Sequence, residues 1–229
     1  MSVMQRFEHV REEVDRQCMT VDRDPSEVTL VAVSKTVGLP EVEDAMGAGS
    51  FDFGENRPDQ LVLKADSFPQ ARWHFIGNIQ SRRIRDIVGR AFLIHSLFEE
   101  SHARKIDECA RNLGIVQDVL LEVNVSGEES KSGLAPYDVQ NMLDTIAGFD
   151  HVRVRGLMTM APQGDLDVAR QTFKNLADLR GELRSAMDPE RAEAFSELSM
   201  GMSEDWREAI AEGATIVRIG RAIFSEHFE

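Results

Sequence analysis

The first apolar run of the chain, Val28-Thr29-Leu30-Val31-Ala32-Val33, leads straight into Ser34-Lys35-Thr36. A run of this length reads as a buried strand. A lysine where such a strand stops loses hydration, and desolvation favours its neutral amine, the form that attacks a carbonyl to give a Schiff base. A lysine that covers its stem and sends its ammonium to water fits the same position. Other chemistry-bearing residues recur at comparable places: Glu55-Asn56 after Phe53-Gly54, His74 and His95 in short apolar runs, Asn124 after Glu122-Val123, and Lys131 in the polar loop that follows. Near the end of the chain, Ser199-Met200-Gly201-Met202-Ser203 and Ile219-Gly220-Arg221 bring glycines, hydroxyls and backbone amides to the starts of helices, a pattern that attracts phosphate. Arg218 interrupts the apolar segment 216–219, and an interior cation needs a partner or a ligand. An internal salt bridge would serve it equally well.

Other patterns point to less. His74 and His95 fit acid–base chemistry or satisfied core positions. There is no H-E-x-x-H pair and no Gly-x-Ser-x-Gly elbow. Methionines 158, 160, 200 and 202 fall at strand ends, as cavity walls or simple packing. Arg82-Arg83-Ile84-Arg85 reads as a solvated helix face, with an anion or partner patch as the sharper option.

These residues need elements to position them, and the chain supplies a regular alternation. Val3, Phe7, Val10, Val14 and Cys18 form the apolar stripe of an extra N-terminal helix. After the strand at 28–33, helices are expected from Leu39-Pro40 to Gly47, at 58–65, at 79–88 with Asn78 as cap, at 99–113, from Pro136 and at 166–187. Asp188-Pro189 stops the last of these, and a helix at 205–211 follows. Strands are expected at 51–54, 72–76, 92–95, 119–125, 152–158, 197–200 and 216–219. Eight strands separated by helices is the count of a (β/α)8 TIM-type barrel. An open doubly wound sheet would carry a Gly-rich phosphate turn after its first strand, where this chain has Ser-Lys-Thr-Val-Gly. In a barrel, functional groups collect at the C-terminal ends of the strands, which is where Lys35, Asn56, His74, His95, Asn124, Ser203, Arg218 and Gly220 are expected.

The whole chain sets further bounds. With 229 residues and no linker or low-complexity tract, residues 1–229 are expected to form one barrel domain. The net charge of -14 argues against general binding of nucleic acid or anionic membrane. Cys18 and Cys109 are too few for a disulfide framework or zinc ribbon. No signal-peptide core opens the chain and no run approaches transmembrane length, so a cytoplasmic location is expected.

A strand-end lysine, two phosphate-type turns and a buried arginine suggest a single ligand. Pyridoxal 5′-phosphate (PLP) has an aldehyde for Lys35, a phosphate for the glycine turns and a ring nitrogen for a protein partner.

At this point the sequence resembles the YggS/PROSC-type pyridoxal phosphate homeostasis proteins. The resemblance runs through Val31-Ala32-Val33-Ser34-Lys35, Phe53-Gly54-Glu55-Asn56, His74-Phe75-Ile76-Gly77 with Gln80, and Val123-Asn124-Val125-Ser126. It continues through Lys131-Ser132-Gly133, Gly156-Leu157-Met158, the segment 198–203 and Val217-Arg218-Ile219-Gly220, and so covers nearly the whole chain. It implies a PLP-binding barrel of fold type III, similar to the N-terminal domain of alanine racemases. By the same resemblance Lys35 is the aldimine lysine, Ser203 with Gly220 and Arg221 hold the phosphate, and Arg218 partners the pyridine nitrogen. Asn56 and Met200 line the cofactor, and Lys131 is an auxiliary contact.

The function implied is PLP homeostasis: holding the cofactor, limiting free aldehyde and delivering it to PLP-dependent apoenzymes, as a monomer. Racemases of that fold take a second base, a tyrosine, from an additional C-terminal domain, whereas the single tyrosine here is Tyr137. The alternatives are a racemase or related PLP enzyme, and a Schiff-base aldolase barrel without cofactor. Three departures from the family pattern stand out: Arg57-Pro58 after Glu55-Asn56, Arg82-Arg83 in place of Asn-Lys, and Arg221 after Gly220.

Overall fold

Eight strands, all parallel, pair in sequence order and close on themselves. They are β1 (Thr29–Val33), β2 (Asp52–Glu55), β3 (Arg72–Phe75), β4 (Leu93–Leu97), β5 (Gln117–Glu122), β6 (Val152–Met158), β7 (Glu197–Ser199) and β8 (Ile216–Ile219). This is a computed structural model, and it describes residues 1–128 and 131–228. Closure comes from β1, which pairs with β2 through Ala32 and Phe53 and with β8 through Val31 and Arg218. The helices are α1 (Val3–Thr20), α2 (Leu39–Gly47), α3 (Pro58–Ser67), α4 (Ile84–Ile87), α5 (Glu100–Leu113), α6 (Val139–Ile146), α7 (Leu166–Ser185), α8 (Pro189–Ala194), α9 (Trp206–Ala211) and α10 (Arg221–Phe224).

Strand alternation sorts the side chains into two layers. Val31, Val33, Leu93, Leu120, Met158 and Ile216 form the apolar cluster inside the barrel. Ala32, Phe53, Trp73, Phe75, Ile94, Leu121 and Leu198 point the other way, into the larger cluster shared with the helices. Gly54 belongs to the inner layer, where a Cβ would come within 3.1 Å of Val31.

The N-terminal stripe forms as expected. α1 buries Val3, Phe7, Val10, Val14 and Cys18, and Ser2 and Gln5 cap it reciprocally. Its Arg6 donates from Nε to the Ile223 carbonyl at 2.8 Å, fastening the first helix to the last.

Four expectations need correction. Residues 79–88 are not one helix capped by Asn78: Ser81–Arg83 is a 3-10 turn and α4 begins only at Ile84. Ile79 lies five residues before Ile84, off the helical period that Ile84, Ile87 and Val88 keep. β4 runs on to Leu97, so His95 sits mid-strand. β5 ends at Glu122, with Val123 making only an isolated bridge to Leu134. Asp188-Pro189 ends the long helix but also caps α8, with Asp188 accepting from the Arg191 amide at 3.0 Å. In the polar loop 126–133, residues 129 and 130 lie outside the described part; Asn124 ties the rest, donating to the carbonyls of Glu128 and Lys131. No helix among the described residues is long and apolar enough to cross a membrane.

Candidate functional site

A cavity of about 480 Å³ opens at the C-terminal mouth of the barrel. Of the residues singled out in the sequence, Lys35, Asn56, Ser203, Arg218, Gly220 and Arg221 line it, with Met158, Met160 and Met202 among the apolar walls. Each stands at or just beyond a strand end, where loop residues face a common opening.

Lys35 is exposed; burial at the end of β1 falls on Ser34 instead. The desolvation expected of Lys35 is therefore absent, and its distinction is position. Ser34 is held on three sides: its N–H donates to the Gly54 carbonyl at 3.0 Å, its hydroxyl to Glu55 Oε1 at 2.9 Å, and its carbonyl accepts from Lys64 Nζ at 2.8 Å. Lys64 also pairs with Glu55, both side chains being shut off from solvent. The turn that presents Lys35 thus rests on a buried ion pair outside the barrel wall. Sequence reasoning missed Lys64, although it continues the buried three-residue spacing of Pro58 and Leu61 on α3.

Arg218 is buried at the cavity floor. Its Nη1 donates to Ser199 Oγ at 2.6 Å and its Nη2 to the Thr159 carbonyl at 3.0 Å. Burial lowers its pKa to about 10, against the opposing pull of the Asp205 and Glu122 carboxylates. Those two acids answer in kind: burial raises both, and the Arg218 charge restrains the rise. The internal salt bridge weighed for Arg218 is replaced by two hydrogen bonds and two nearby acids. Two guanidinium nitrogens are thereby engaged, and the fork has five N–H donors in all.

The anion end is built by two glycine turns. Gly201 takes φ +89°, and a Cβ there would lie 2.6 Å from that of Ala209. Gly220 lets β8 pass β1, since its Cβ would fall 3.0 Å from the Val33 carbonyl oxygen. The Gly220 N–H donates to Ser203 Oγ at 3.3 Å, joining the two turns. At the start of α10 the Ile223 and Phe224 amides donate to the Gly220 carbonyl, and the preceding amides of Arg221 and Ala222 can turn to an anion. The Arg221 side chain does not add free charge here, because it pairs with Glu204 at 2.7 Å.

Five expected site residues lie elsewhere. Met200 is buried in the helix-facing core, because Ser199 points inward and alternation sends Met200 outward; Met202 takes the wall position. The Ser199 hydroxyl, expected at the anion turn, faces the barrel interior. His74 and His95 lie inside the barrel, hydrogen-bonded to each other at 2.8 Å, and do not line the mouth. Lys131 does not line the cavity either; its ammonium donates to the Met160 carbonyl at 3.3 Å and pairs with Glu128. Tyr137 is 82% exposed and away from the cavity.

A parallel barrel whose mouth gathers an amine, a guanidinium and an anion turn matches a recognised class: the model of the alanine racemase N-terminal domain fits residues 11–227. Within that class the chain belongs to the family of pyridoxal phosphate homeostasis proteins. The relative of that name from Aquifex aeolicus is 37% identical over 230 residues, covering 99% of each chain. Among solved structures, an unknown protein from Bifidobacterium adolescentis superposes with a TM-score of 0.91 at 33% identity, over 97% of this chain and 94% of that one. PipY of Synechococcus elongatus, solved with PLP bound, gives a TM-score of 0.78 at 30% identity over 93% of this chain and all (100%) of its own.

Proposed function

We propose that this chain binds PLP in the mouth cavity and serves PLP homeostasis, keeping the cofactor and passing it to PLP-dependent apoenzymes. The observation that carries this reading is the convergence of the Lys35 amine, the Arg218 guanidinium and the Ser203–Gly220 anion turn on one cavity. The donor set suits the ligand: an amine for an aldehyde, a hydroxyl and amides for a phosphate, and a cationic donor for a ring nitrogen. The names and the bound ligand of the relatives support it.

When bound, PLP supplies an electrophilic carbon that captures amines and a ring that withdraws electrons. Lys35 would provide the covalent tether. Ser203 with the backbone amides at Gly220 and Arg221 would hold the phosphate, Asn56 and Met202 would line the ring, and Lys131 would stand behind the Met160 wall as an auxiliary cation. Arg218 would donate to the ring nitrogen; a cation at that place disfavours protonation of the nitrogen and so weakens the ring as an electron sink. That choice favours storage over turnover, as does the position of Tyr137 far from the cavity. We place this activity in one barrel domain, acting as a cytoplasmic monomer.

The test is to load the protein with PLP, reduce it with borohydride and map the modified peptide. The label is expected on Lys35; label on Lys131 or Lys64 would overturn the attachment. Incubation of the loaded protein with single amino-acid enantiomers in deuterated water tests storage against turnover, and α-proton exchange at enzymatic rates would refute a purely binding role.

A further inference from the structure

Five buried polar side chains from five strands touch one another in series through the barrel interior. At the N-terminal mouth, Asp52 on β2 lines a second cavity of about 160 Å³ together with His74. Asp52 Oδ1 lies 3.0 Å from His74 Nε2, and His74 Nδ1 lies 2.8 Å from His95 Nε2. His95 Nδ1 is 2.8 Å from Ser199 Oγ, and Ser199 Oγ is 2.6 Å from Arg218 Nη1. Arg218 then faces the mouth cavity at the other end. The series spans the barrel from one opening to the other.

With both imidazoles neutral, the end groups allow one direction for every bond, because the Asp52 carboxylate only accepts and the Arg218 guanidinium only donates. Arg218 can only donate, so Ser199 Oγ accepts from it and offers its single proton to His95 Nδ1. With Nδ1 accepting, His95 carries its proton on Nε2 and donates to His74 Nδ1. By the same reasoning His74 carries its proton on Nε2 and donates to the Asp52 carboxylate. Burial keeps His95 neutral, with the Arg218 charge acting in the same sense. Four donors therefore point one way, from a cation at one mouth to an anion at the other. Charged ends and neutral, polarisable links make such a chain cooperative.

Other groups face its members. Glu122 of β5, Asp205 before α9 and the Thr159 carbonyl surround Arg218, Arg72 of β3 shares Asp52, and the Phe92 ring meets His74 edge-on. Among the described residues only Asp52 gives the imidazole pair a carboxylate within hydrogen-bond distance.

We propose that Asp52, His74, His95 and Ser199 are positioning residues, whose one-way hydrogen-bond chain orients Arg218 and transmits the charge of Asp52 to the ring of a ligand bound at the opposite mouth. The last clause rests on the PLP reading; the tautomers and the orientation of Arg218 do not. The chain makes a carboxylate at the bottom of the barrel part of the electronic environment of the top.

Two measurements test this. Long-range nitrogen–proton NMR of the histidines in full-length protein without PLP is expected to show both His74 and His95 neutral, with bare Nδ1 and protonated Nε2. A protonated Nδ1 on either ring would overturn the chain. In PLP-loaded protein, Asp52→Asn keeps the acceptor oxygen but removes the charge, and is expected to move the midpoint of the pH-dependent absorbance change by about half a pH unit or more. His95→Leu, which can neither accept from Ser199 nor donate to His74, is expected to move it further, while Asp52→Glu restores the wild-type midpoint. Unchanged midpoints in variants that still load PLP would overturn the transmission. If the wild-type protein showed no Lys35-dependent absorbance, the cofactor reading would fall instead, and the NMR result would still uphold or overturn the chain.

Discussion

The Lys64 ammonium donates to the carbonyl oxygen of Ser34 at 2.8 Å, directly behind the residue proposed to carry the ligand. Lys64 is also the counter-ion of Glu55, whose second oxygen, Oε2, is buried without a hydrogen-bond partner among the described residues. Removing one member of a buried pair strands the other charge. Lys64→Met and Glu55→Leu are each expected to lower the unfolding free energy by about 3–5 kcal/mol, whereas the Lys64→Met, Glu55→Leu double variant should cost distinctly less than their sum. Urea titrations of the four proteins of this cycle check it, and an additive outcome would contradict the coupling.

Acid should weaken the fold in two stages. Burial, with the Arg218 charge acting in the same sense, pushes His95 well below its usual value of 6.5, so the unfolded chain takes up a proton that the folded chain refuses. Stability therefore falls as the pH drops below about 6.5, by about 1.4 kcal/mol per pH unit from this group alone. For Asp52, burial acts to raise the carboxyl, but hydrogen bonds from His74 and Arg72 hold it below its usual value of 3.8. Its contribution is present above that value and disappears as the pH falls through the lower folded one. Denaturant unfolding between pH 7 and pH 3 should show both limbs, and His95→Gln should flatten the first. A wild-type profile level between pH 7 and pH 5 would contradict the first limb.

Gly201 combines a left-handed backbone with a contact that leaves no room for a methyl group. Gly201→Ala is expected to destabilise by about 1–3 kcal/mol and to reduce PLP affinity, because the turn carries Ser203 toward Gly220. Isothermal binding and thermal unfolding measured on the same sample distinguish this from a substitution that is merely tolerated.

Arg221 and Glu204 pair at the cavity rim, both about half exposed. An exposed pair contributes under about 1 kcal/mol to stability, so Glu204→Gln should leave the unfolding midpoint almost unchanged. It also releases a guanidinium beside the anion turn. PLP affinity should rise a few-fold at low salt and the gain should fade as salt screens it. Unchanged affinity at low salt would show that the Arg221 side chain is irrelevant to the ligand.

The alternation of elements was readable because each strand is a short apolar run between helices with clear start and stop residues. The cavity residues Lys35, Asn56, Ser203, Arg218 and Gly220 were readable for the same reason, since strand ends in a barrel share one face. Face within a strand was harder. Met200 and Ser199 exchange roles because one residue of alternation separates inside from outside, and the short β7 gives little pattern from which to set it. His95 is expected at the mouth because its strand reads as stopping at 95 where β4 runs on to Leu97, and His74 because it falls near the end of its strand; their link to Asp52 joins β2, β3 and β4 and has no local signature. The Lys64–Glu55 pair escaped notice because Lys64 lies on a helix that seemed to need only its apolar stripe.

The pairing of Val31 with Arg218 that closes the barrel also sets a timetable. Synthesis runs from the N-terminus, so the lysine proposed to capture the ligand leaves the ribosome long before the strand that carries its opposing arginine and anion turn. Until β8 docks against β1 the amine has no cavity. Ligand retention therefore reports that the chain has been made through its last strand, and a nascent or truncated product would leave the cofactor free.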